Sequence, residues 1–545
     1  MSPGAAAGTA SAGHSGTSRL HPHLQPVRAR LLQWPAVAEP TALPPAGPGA
    51  PTPPIAIAGG AAAARPRLGS MVPVPDPVID RLRKTGAGVS TDHAVRAEAS
   101  RDWWPGAMIW ATEGEVPGLA GVVVSPTDAD QVAAVLRLCN AARVPVTAAG
   151  GRSGVCGASV PVFGGVVLDT TQLTGIVSID EESMVLDVAP GTCGDLLEAE
   201  LRERGLTVGH WPQSVSLSTV GGWVACRGAG QLSNRYGKIE DMVVGLDVVL
   251  ADGTAISTGG YPRAAVGPDL TQVFVGSEGT LGIVTGVRLR LHPAPQVQRH
   301  AAFAFGTFAA ANDACRRIVQ RGLPPAVLRV YDPIEADRSY QIGDRAVLLV
   351  MDEGDPLVVD AAMAITGEVC AGAEVLDDSL VERWLSHRNE VSALEALIGK
   401  GYVVDTMEIS APWSCLGAIY TVATTALRAV PGTLAASAHQ SHAYPDGACL
   451  YFTFAAKVEE NGTGTAVRDR TYAALWDAGQ RAVLAAGGTL SHHHGVGLNR
   501  SRFTAEALGA AHGTLQSVKD ALDPNGILNP GKLGLRSPFG EVAYP

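Results

Sequence analysis

Three glycine-rich loops, in a fixed order inside one α/β stretch, constrain this chain more than any other feature. They are "AAGGRSGVCG" (Ala148–Gly157), "SVSLSTVGGWVACRGAG" (Ser214–Gly230) and "VGSEGTLGIVT" (Val275–Thr285). Glycine has no Cβ, so adjacent glycines let backbone N–H groups approach a ligand closely. Neither standard nucleotide signature is present: the first loop is not GxGxxG opening a helix, and it is not GxxxxGK[ST]. In the second loop Ser218 and Thr219 stand where a helix N-cap belongs, and Gly221-Gly222 permits close contact with a flat ring. Each loop alone is compatible with a plain turn. Together they predict a backbone cradle for a long dinucleotide.

The segments between the loops alternate in period. "AGVVVSP" reads as a short buried strand. "DADQVAAVLRLCNAARV" has apolar residues at helical spacing, with an acidic first turn and a basic last turn. "VPVTAAGG", "GGVVLDTTQL" and "SMVLDVAPG" are further strands, and "CGDLLEAELRERG" is a helix. "DMVVGLDVVLADGTAIST" predicts a hairpin turning at Asp252-Gly253. "LGIVTGVRLRLHPAP" is a strand closed by Pro293 and Pro295. Residues 298–485 alternate strands and helices again and read as a second α+β domain, followed by a C-terminal segment, 486–545, with "SHHHGVG" and "DPNGILNPGKL".

Composition narrows the class. Hydrophobic residues make up 46% and charged residues 17%, enough for large buried cores. The net charge of −11 argues against a nucleic-acid binder, which needs clustered Lys/Arg to displace counterions. No apolar run reaches the roughly 18–20 residues of a membrane-spanning helix. The eight cysteines form no CxxC pair and predict reduced, mostly buried thiols in a cytoplasmic protein. Residues 1–70 are rich in Ala, Pro and Gly and predict a disordered tail, with Met71 as an alternative start; 71–116 read as an N-terminal helical segment.

The ordered motifs "GGRSG", "GHWPQS", "STVGGWVACR", "YGKIED", "VVLADG" and "GSEGTLGIVT" resemble the flavin-binding (PCMH-type) domain of the vanillyl-alcohol oxidase superfamily. With "RVYD", "EISAPW", "YPDGACLYFTF", "SHHHGVG" and "LDPNGILNPGKL", the chain resembles the alkyldihydroxyacetonephosphate synthases, flavoenzymes of ether-lipid synthesis. The likeness covers roughly residues 75–535. It implies an α+β fold: a two-subdomain PCMH-type FAD-binding domain over 117–297, an α+β substrate (cap) domain over 298–485, and a C-terminal segment returning to the flavin site. It implies an enzyme with FAD, held noncovalently since "GGRSG" carries no histidine. It also implies a small-molecule substrate, with a peripheral membrane contact for a lipid and a homodimer as expectations.

Carried over by position, the resemblance implies that Thr147, Ala148, Ala149, Gly150, Gly151, Arg152 and Ser153 hold the pyrophosphate. Gln213, Ser214, Val215, Ser216, Leu217, Ser218 and Thr219, with Ala225, Cys226, Arg227 and Gly228, would line the dinucleotide and ring. Glu278, Gly279, Thr280, Leu281, Gly282, Ile283 and Val284 would close over the adenosine side. Relatives often carry Asp where this chain has Gln213.

Tyr451 lies in the period-two strand "CLYFTF". The resemblance places it on the acid/base tyrosine, although a core tyrosine with a satisfied hydroxyl has the same pattern. A phenol titrates near 10 and needs an imidazolium or guanidinium beside it to act near neutrality. Arg329 is the expected source, its alternative a surface salt bridge. His492, His493 and His494 follow an expected strand, so at most two should face one cavity, for proton transfer and anion holding. His210 is implied beside the flavin. His439 and His442 are the only partners a metal could recruit, and no metal is expected. The synthases hold the substrate phosphate with an arginine 19 residues before the Trp of "SAPW"; here that position is Leu394, which opens the alternative of hydride removal from a small 2-hydroxy acid or alcohol.

Overall fold

The computed structural model describes residues 55–69, 71–390, 393–458 and 465–542. Its first sheet contains β1 (Gly88–Ser90), β2 (Val122–Ser125), β3 (Val146–Ala149) and β4 (Val166–Asp169) in the order β1-β2-β4-β3. β2, β4 and β3 run parallel, and β1 is antiparallel to β2. Parallel strands need helical cover, which is why they read as unbroken Val runs. Helix α1 (Ala129–Ala142) supplies it: Asp128 caps its start by accepting from Gln131 N at 2.8 Å. Its Val132, Val135, Leu136 and Cys139 join Val122, Val124, Val146 and Val166 in one core. The segment 71–116 is not only helical, because β1 belongs to this sheet.

The second sheet is antiparallel, in the order β8-β7-β9-β6-β5, from β5 (Ile176–Asp180), β6 (Val185–Val188), β7 (Val243–Val249), β8 (Ala255–Gly259) and β9 (Ile283–Arg290). The expected hairpin joins β7 to β8, with Gly253 at φ 82° in its turn.

The third sheet has seven antiparallel strands: β10 (Val297–Phe305), β11 (Val327–Tyr331), β12 (Ala346–Gly354), β13 (Glu374–Leu376), β14 (Tyr402–Pro412), β15 (Thr433–Ala443) and β16 (Gly447–Lys457). Their order is β13-β10-β12-β11-β15-β16-β14. On β12, Leu348 and Val350 pack with helix α2 (Phe308–Val319), while Val347, Leu349 and Met351 pack on the other face with Val381 and Trp384. The same alternation sends Leu450, Phe452 and Phe454 of β16 into the large core and leaves Tyr451 on the opposite face.

Residues 55–69, assigned to the tail by composition, are folded. Ile55, Ile57, Ala64 and Leu68 are buried beside Trp104, Met108 and Trp110. Arg101 Nη1 donates to Ile55 O at 2.5 Å, and Arg65–Pro66 pairs in parallel with Glu115–Val116. The tail expectation for residues 1–54 lies outside the described residues.

At the other end the chain comes back to the first sheet. Val146 N donates to Ile527 O at 2.8 Å and Asn529 N donates to Val146 O at 2.7 Å, adding a bridge to the β3 edge. Lys519 Nζ donates to Thr280 O and Lys532 Nζ to Val160 O, each at 2.8 Å. Among the described residues no helix is long and apolar enough to cross a membrane.

Candidate active site

A cavity of about 730 Å³ lies between the glycine loops on one side and the polar face of the seven-stranded sheet on the other. Of the residues expected at a cofactor, Ala148 to Ser153, Gln213, Ser214, Leu217 to Thr219, Ala225, Cys226, Gly228, Glu278, Gly279 and Gly282 to Val284 line it. The rest face elsewhere. Thr147, Val215 and Leu281 are buried, and Ser216 lies outside the lining. Thr280 Oγ1 donates to Ser277 O at 2.7 Å, and Arg227 pairs with Glu240 at 3.2 Å.

The loops need glycine for approach to each other as well as to a ligand. A Cβ on Gly151 would sit 1.9 Å from Leu217 O, so the first and second loops touch there. A Cβ on Gly221 would meet Pro190 Cβ at 2.7 Å, which seats the helix Val220–Cys226. Thr219 occupies the N-cap of that helix, but its hydroxyl caps nothing, and Ser218 Oγ instead accepts from Trp223 Nε1 at 2.7 Å. Among the described residues, seven buried atoms on the cavity wall lack a hydrogen-bond partner in the protein: Asp102 Oδ2, Trp103 Nε1, both ring nitrogens of His210, Thr219 Oγ1, Gln231 Oε1 and His494 Nδ1. Orphaned polar atoms are costly unless a ligand meets them. A long ligand with alternating donors and acceptors, as FAD has, fits this wall.

On the sheet side, antiparallel register sets a lateral row. Tyr331 of β11 pairs with His439 of β15, His439 with Tyr451 of β16, and Tyr451 with Glu408 of β14. Tyr451 stacks on His439 with centroids 4.8 Å apart and donates to Thr406 Oγ1 at 3.0 Å. Arg329, two residues before Tyr331, reaches the same cavity and is no surface salt bridge. Its Nε donates to Tyr331 Oη at 2.8 Å and its Nη2 to His439 Nε2 at 2.5 Å. Because that nitrogen accepts, His439 Nδ1 carries the proton it donates to Glu335 Oε2 at 2.8 Å.

The triple histidine lies in a loop; the segment before it is helix Thr465–Ala485 and then irregular chain, not the expected strand. His493 and His494 line the cavity, whereas His492 does not. His492 shares hydrogen bonds with Tyr444 Oη and His493 Nδ1, both at 2.9 Å, and Lys238 Nζ donates to its carbonyl at 2.7 Å. Adjacent rather than alternate histidines therefore face the cavity, since the backbone is not extended. Glu408 holds the loop. Its carboxylate accepts from the N–H groups of His492, His493 and His494, from Ser491 Oγ at 2.7 Å and from Arg500 Nη1 at 2.7 Å.

Burial governs the titration of the site. It holds the His210 imidazole neutral down to about 3, with Lys238 and His442 adding to the effect. His442 is held to about 3 and His494 to about 4 by burial, and His439 to about 4 by burial and Arg329. The Tyr451 phenol is pushed up by burial and by Glu408, against the Thr406 hydrogen bond and Arg329. That overturns the expectation of a phenol lowered toward neutrality: the imidazoles are uncharged, and one guanidinium does not offset the lost hydration. Burial also raises Asp102 and Glu278 to about 7 and lowers Lys532 to about 8. Glu408 goes the other way: burial raises it, but Arg500 and the loop amides overcome that and hold it below the usual carboxylate range.

Ligand atoms of His442, Cys449, His492 and His493 lie within 4.8 Å of one another. This is the one such group among the described residues, and it leaves out His439. Its rings are already engaged: His442 Nε2 donates to Gly230 O at 2.9 Å, and Ser441 Oγ meets Nδ1 at 2.9 Å. Sequence reasoning missed Asp102, Trp103, Gln231, Trp384, Glu408 and Arg500. Only Glu408, inside "EISAPW", had a signal.

Residues 120–259 match the FAD binding domain family, and residues 294–533 match the C-terminal domain of FAD linked oxidases. The uncharacterized FAD-linked oxidoreductase YgcU of Escherichia coli (strain K12) is 32% identical over 484 residues, spanning 84% of this chain and 98% of that protein. An alkyldihydroxyacetonephosphate synthase of Dictyostelium discoideum is 29% identical over 461 residues, 77% of this chain and 74% of the relative. A solved alkyldihydroxyacetonephosphate synthase superposes with a TM-score of 0.67 at 25% identity, over 88% of this chain and 89% of that one. Glycine loops, cavity and sheet row therefore belong to a member of the FAD-linked oxidoreductase family, an FAD enzyme built from an FAD binding domain and an FAD-linked oxidase C-terminal domain.

Proposed function

We propose that this enzyme acts as an alkyldihydroxyacetonephosphate synthase: the acyl group of acyl-dihydroxyacetone phosphate leaves as a carboxylic acid, and a fatty alcohol takes its place as an ether. No net oxidation results. Bound FAD supplies an electron sink at its isoalloxazine ring. The observation that carries the reading is the convergence of Tyr451, Arg329, His493 and His494 on the cavity that the glycine loops and His210 wall off. Tyr451 rests as a phenol and gives or takes the proton at its Oη. Arg329 fixes the His439 tautomer beneath it. Neutral His493 and His494 hold polar substrate groups, Glu408 and His492 position them, and His210 offers one donor and one acceptor to the flavin. The other expected cofactor residues that line the cavity contact the dinucleotide. Eight unpaired thiols support a reducing, cytoplasmic setting, and a lipid alcohol drawn from a bilayer surface entails peripheral contact.

The test is exchange of a labelled long-chain alcohol into acyl-dihydroxyacetone phosphate. Labelled ether and free fatty acid are the expected products. Tyr451→Phe should lower turnover at least about 100-fold while FAD stays bound. Acid precipitation should release all the FAD, as noncovalent binding requires. A second reading, hydride removal from a small 2-hydroxy acid or alcohol, is favoured by Leu394, which lines the cavity where the synthases carry the phosphate arginine. Anaerobic bleaching of the flavin by such a substrate, with no ether formed, selects it.

A further inference from the structure

The cavity wall carries a guanidinium that makes no hydrogen bond and no close ion pair among the described residues, with Glu353 acting on it only from a distance. Helix Ser379–His387 carries Trp384 and His387 on the wall, and Arg388 follows at its C-cap. The Arg388 guanidinium lies 5.6 Å from the Trp384 ring centroid. Among the described residues no hydrogen bond engages that guanidinium, and no carboxylate lies within 4 Å of it. Arg329, by contrast, spends its Nε and Nη2 on Tyr331 and His439. A guanidinium keeps its proton when buried, so partial burial without a counter-ion is unfavourable until an anion arrives.

The backbone that carries Arg388 is tied to the flavin side of the cavity. Gln231 Nε2 donates to Arg388 O at 3.1 Å, and Gln213 Nε2 donates to Glu390 O at 3.0 Å. A carboxylate at 213 could not make that bond, since it has no proton to give. Two amides from the FAD binding domain thus hold the arginine segment in place. Leu394 lies on the same wall and packs against the large apolar core, so position 394 offers an anion nothing.

We propose that Arg388 binds the oxyanion end of the substrate, a phosphate or a carboxylate, and that Gln213 and Gln231 are the positioning residues that aim it. The inference rests on reading this cavity as the substrate site, and it holds for either reaction proposed above. A planar guanidinium suits both anions, since two parallel N–H groups meet two oxygens.

The experiment is equilibrium titration of the purified holoenzyme, followed by heat of binding and by the flavin absorption spectrum. The probes are dihydroxyacetone phosphate, glycolate and uncharged dihydroxyacetone. Wild-type protein should bind at least one anion more tightly than dihydroxyacetone, and which one it binds separates the phosphate source from the carboxylate source. Arg388→Met should weaken that anion roughly 10- to 150-fold and leave dihydroxyacetone unchanged. Arg388→Lys should recover part of the loss, with flavin content and melting temperature of both Arg388 variants unaltered, and Gln231→Leu, assayed after saturation with FAD, should weaken the anion several-fold. Undiminished anion binding by Arg388→Met overturns the proposal, as does a wild-type protein that binds neither anion. Arg388-dependent binding of glycolate without ether synthesis leaves Arg388 standing and removes the synthase reading alone.

Discussion

Glu408 is fully buried, and its charge survives there only because Arg500 and three loop amides face it. Removing one partner of such a pair strands the other. Glu408→Gln should therefore destabilise the protein by about 3–5 kcal/mol in denaturant titration, and Glu408→Asp should rescue little, because the shorter side chain cannot span both Arg500 and the loop. A change under about 1 kcal/mol would mean the loop is held by other contacts. Glu278 makes the opposite case. Its carboxyl rises from 4.5 to about 7 through burial, although Val496 N and Gly497 N donate to it. A raised acid binds its proton more tightly when folded, so its contribution is complete below 4.5 and is lost as pH climbs through 7. The stability of Glu278→Gln relative to wild type should grow by up to about 3 kcal/mol between those limits. Unfolding midpoints of both proteins across that range check it, and parallel curves would refute it. The titration of neither carboxylate was legible in the sequence, although Glu278 was expected at the cofactor and Glu408 lies in "EISAPW". Glu408 and the loop it holds are 83–86 positions apart, and a titration depends on what the rest of the fold brings near.

At the scale of elements, period was the readable quantity. The Val runs predicted buried parallel strands, and "CLYFTF" predicted a strand with Tyr451 on one face; both follow from the two-residue repeat. The row Tyr331–His439–Tyr451–Glu408 was not readable, because it depends on which strands become neighbours and on an irregular register between Gln440 and His442. The segment 55–69 misled for another reason. Ile55 and Ile57 sit in an Ala/Pro-rich run with no long-range periodicity, yet both enter the core beside Trp110. A chain starting at Met71 loses that packing, the Arg101 bond to Ile55 O and the pairing of Arg65–Pro66. We expect it to melt several degrees lower than a chain starting at residue 55, in a side-by-side thermal scan. Equal melting temperatures would show that the segment adds nothing to stability.

At the scale of the whole molecule, the FAD binding domain is not contiguous in the chain. Its β3 edge is completed by Ile527 and Asn529, its third glycine loop is bonded by Lys519, and Asn529 Nδ2 donates to Glu278 O at 2.6 Å. A chain ending at Leu522 is expected to purify without flavin while keeping the seven-stranded sheet. Stoichiometric FAD absorbance in that truncate would show the closure to be dispensable. The same topology bears on biosynthesis. The ribosome delivers the three glycine loops early, but the strand partner that finishes their sheet emerges after the entire cap domain has been made. Contacts separated by some 380 positions are slow to find, and an open sheet edge invites pairing with other nascent chains. Tight cofactor loading is therefore expected only once Lys519, Ile527 and Asn529 have been made. The glycine loops and the residues that close them thus stand at opposite ends of the synthesis order, with the whole cap domain between them.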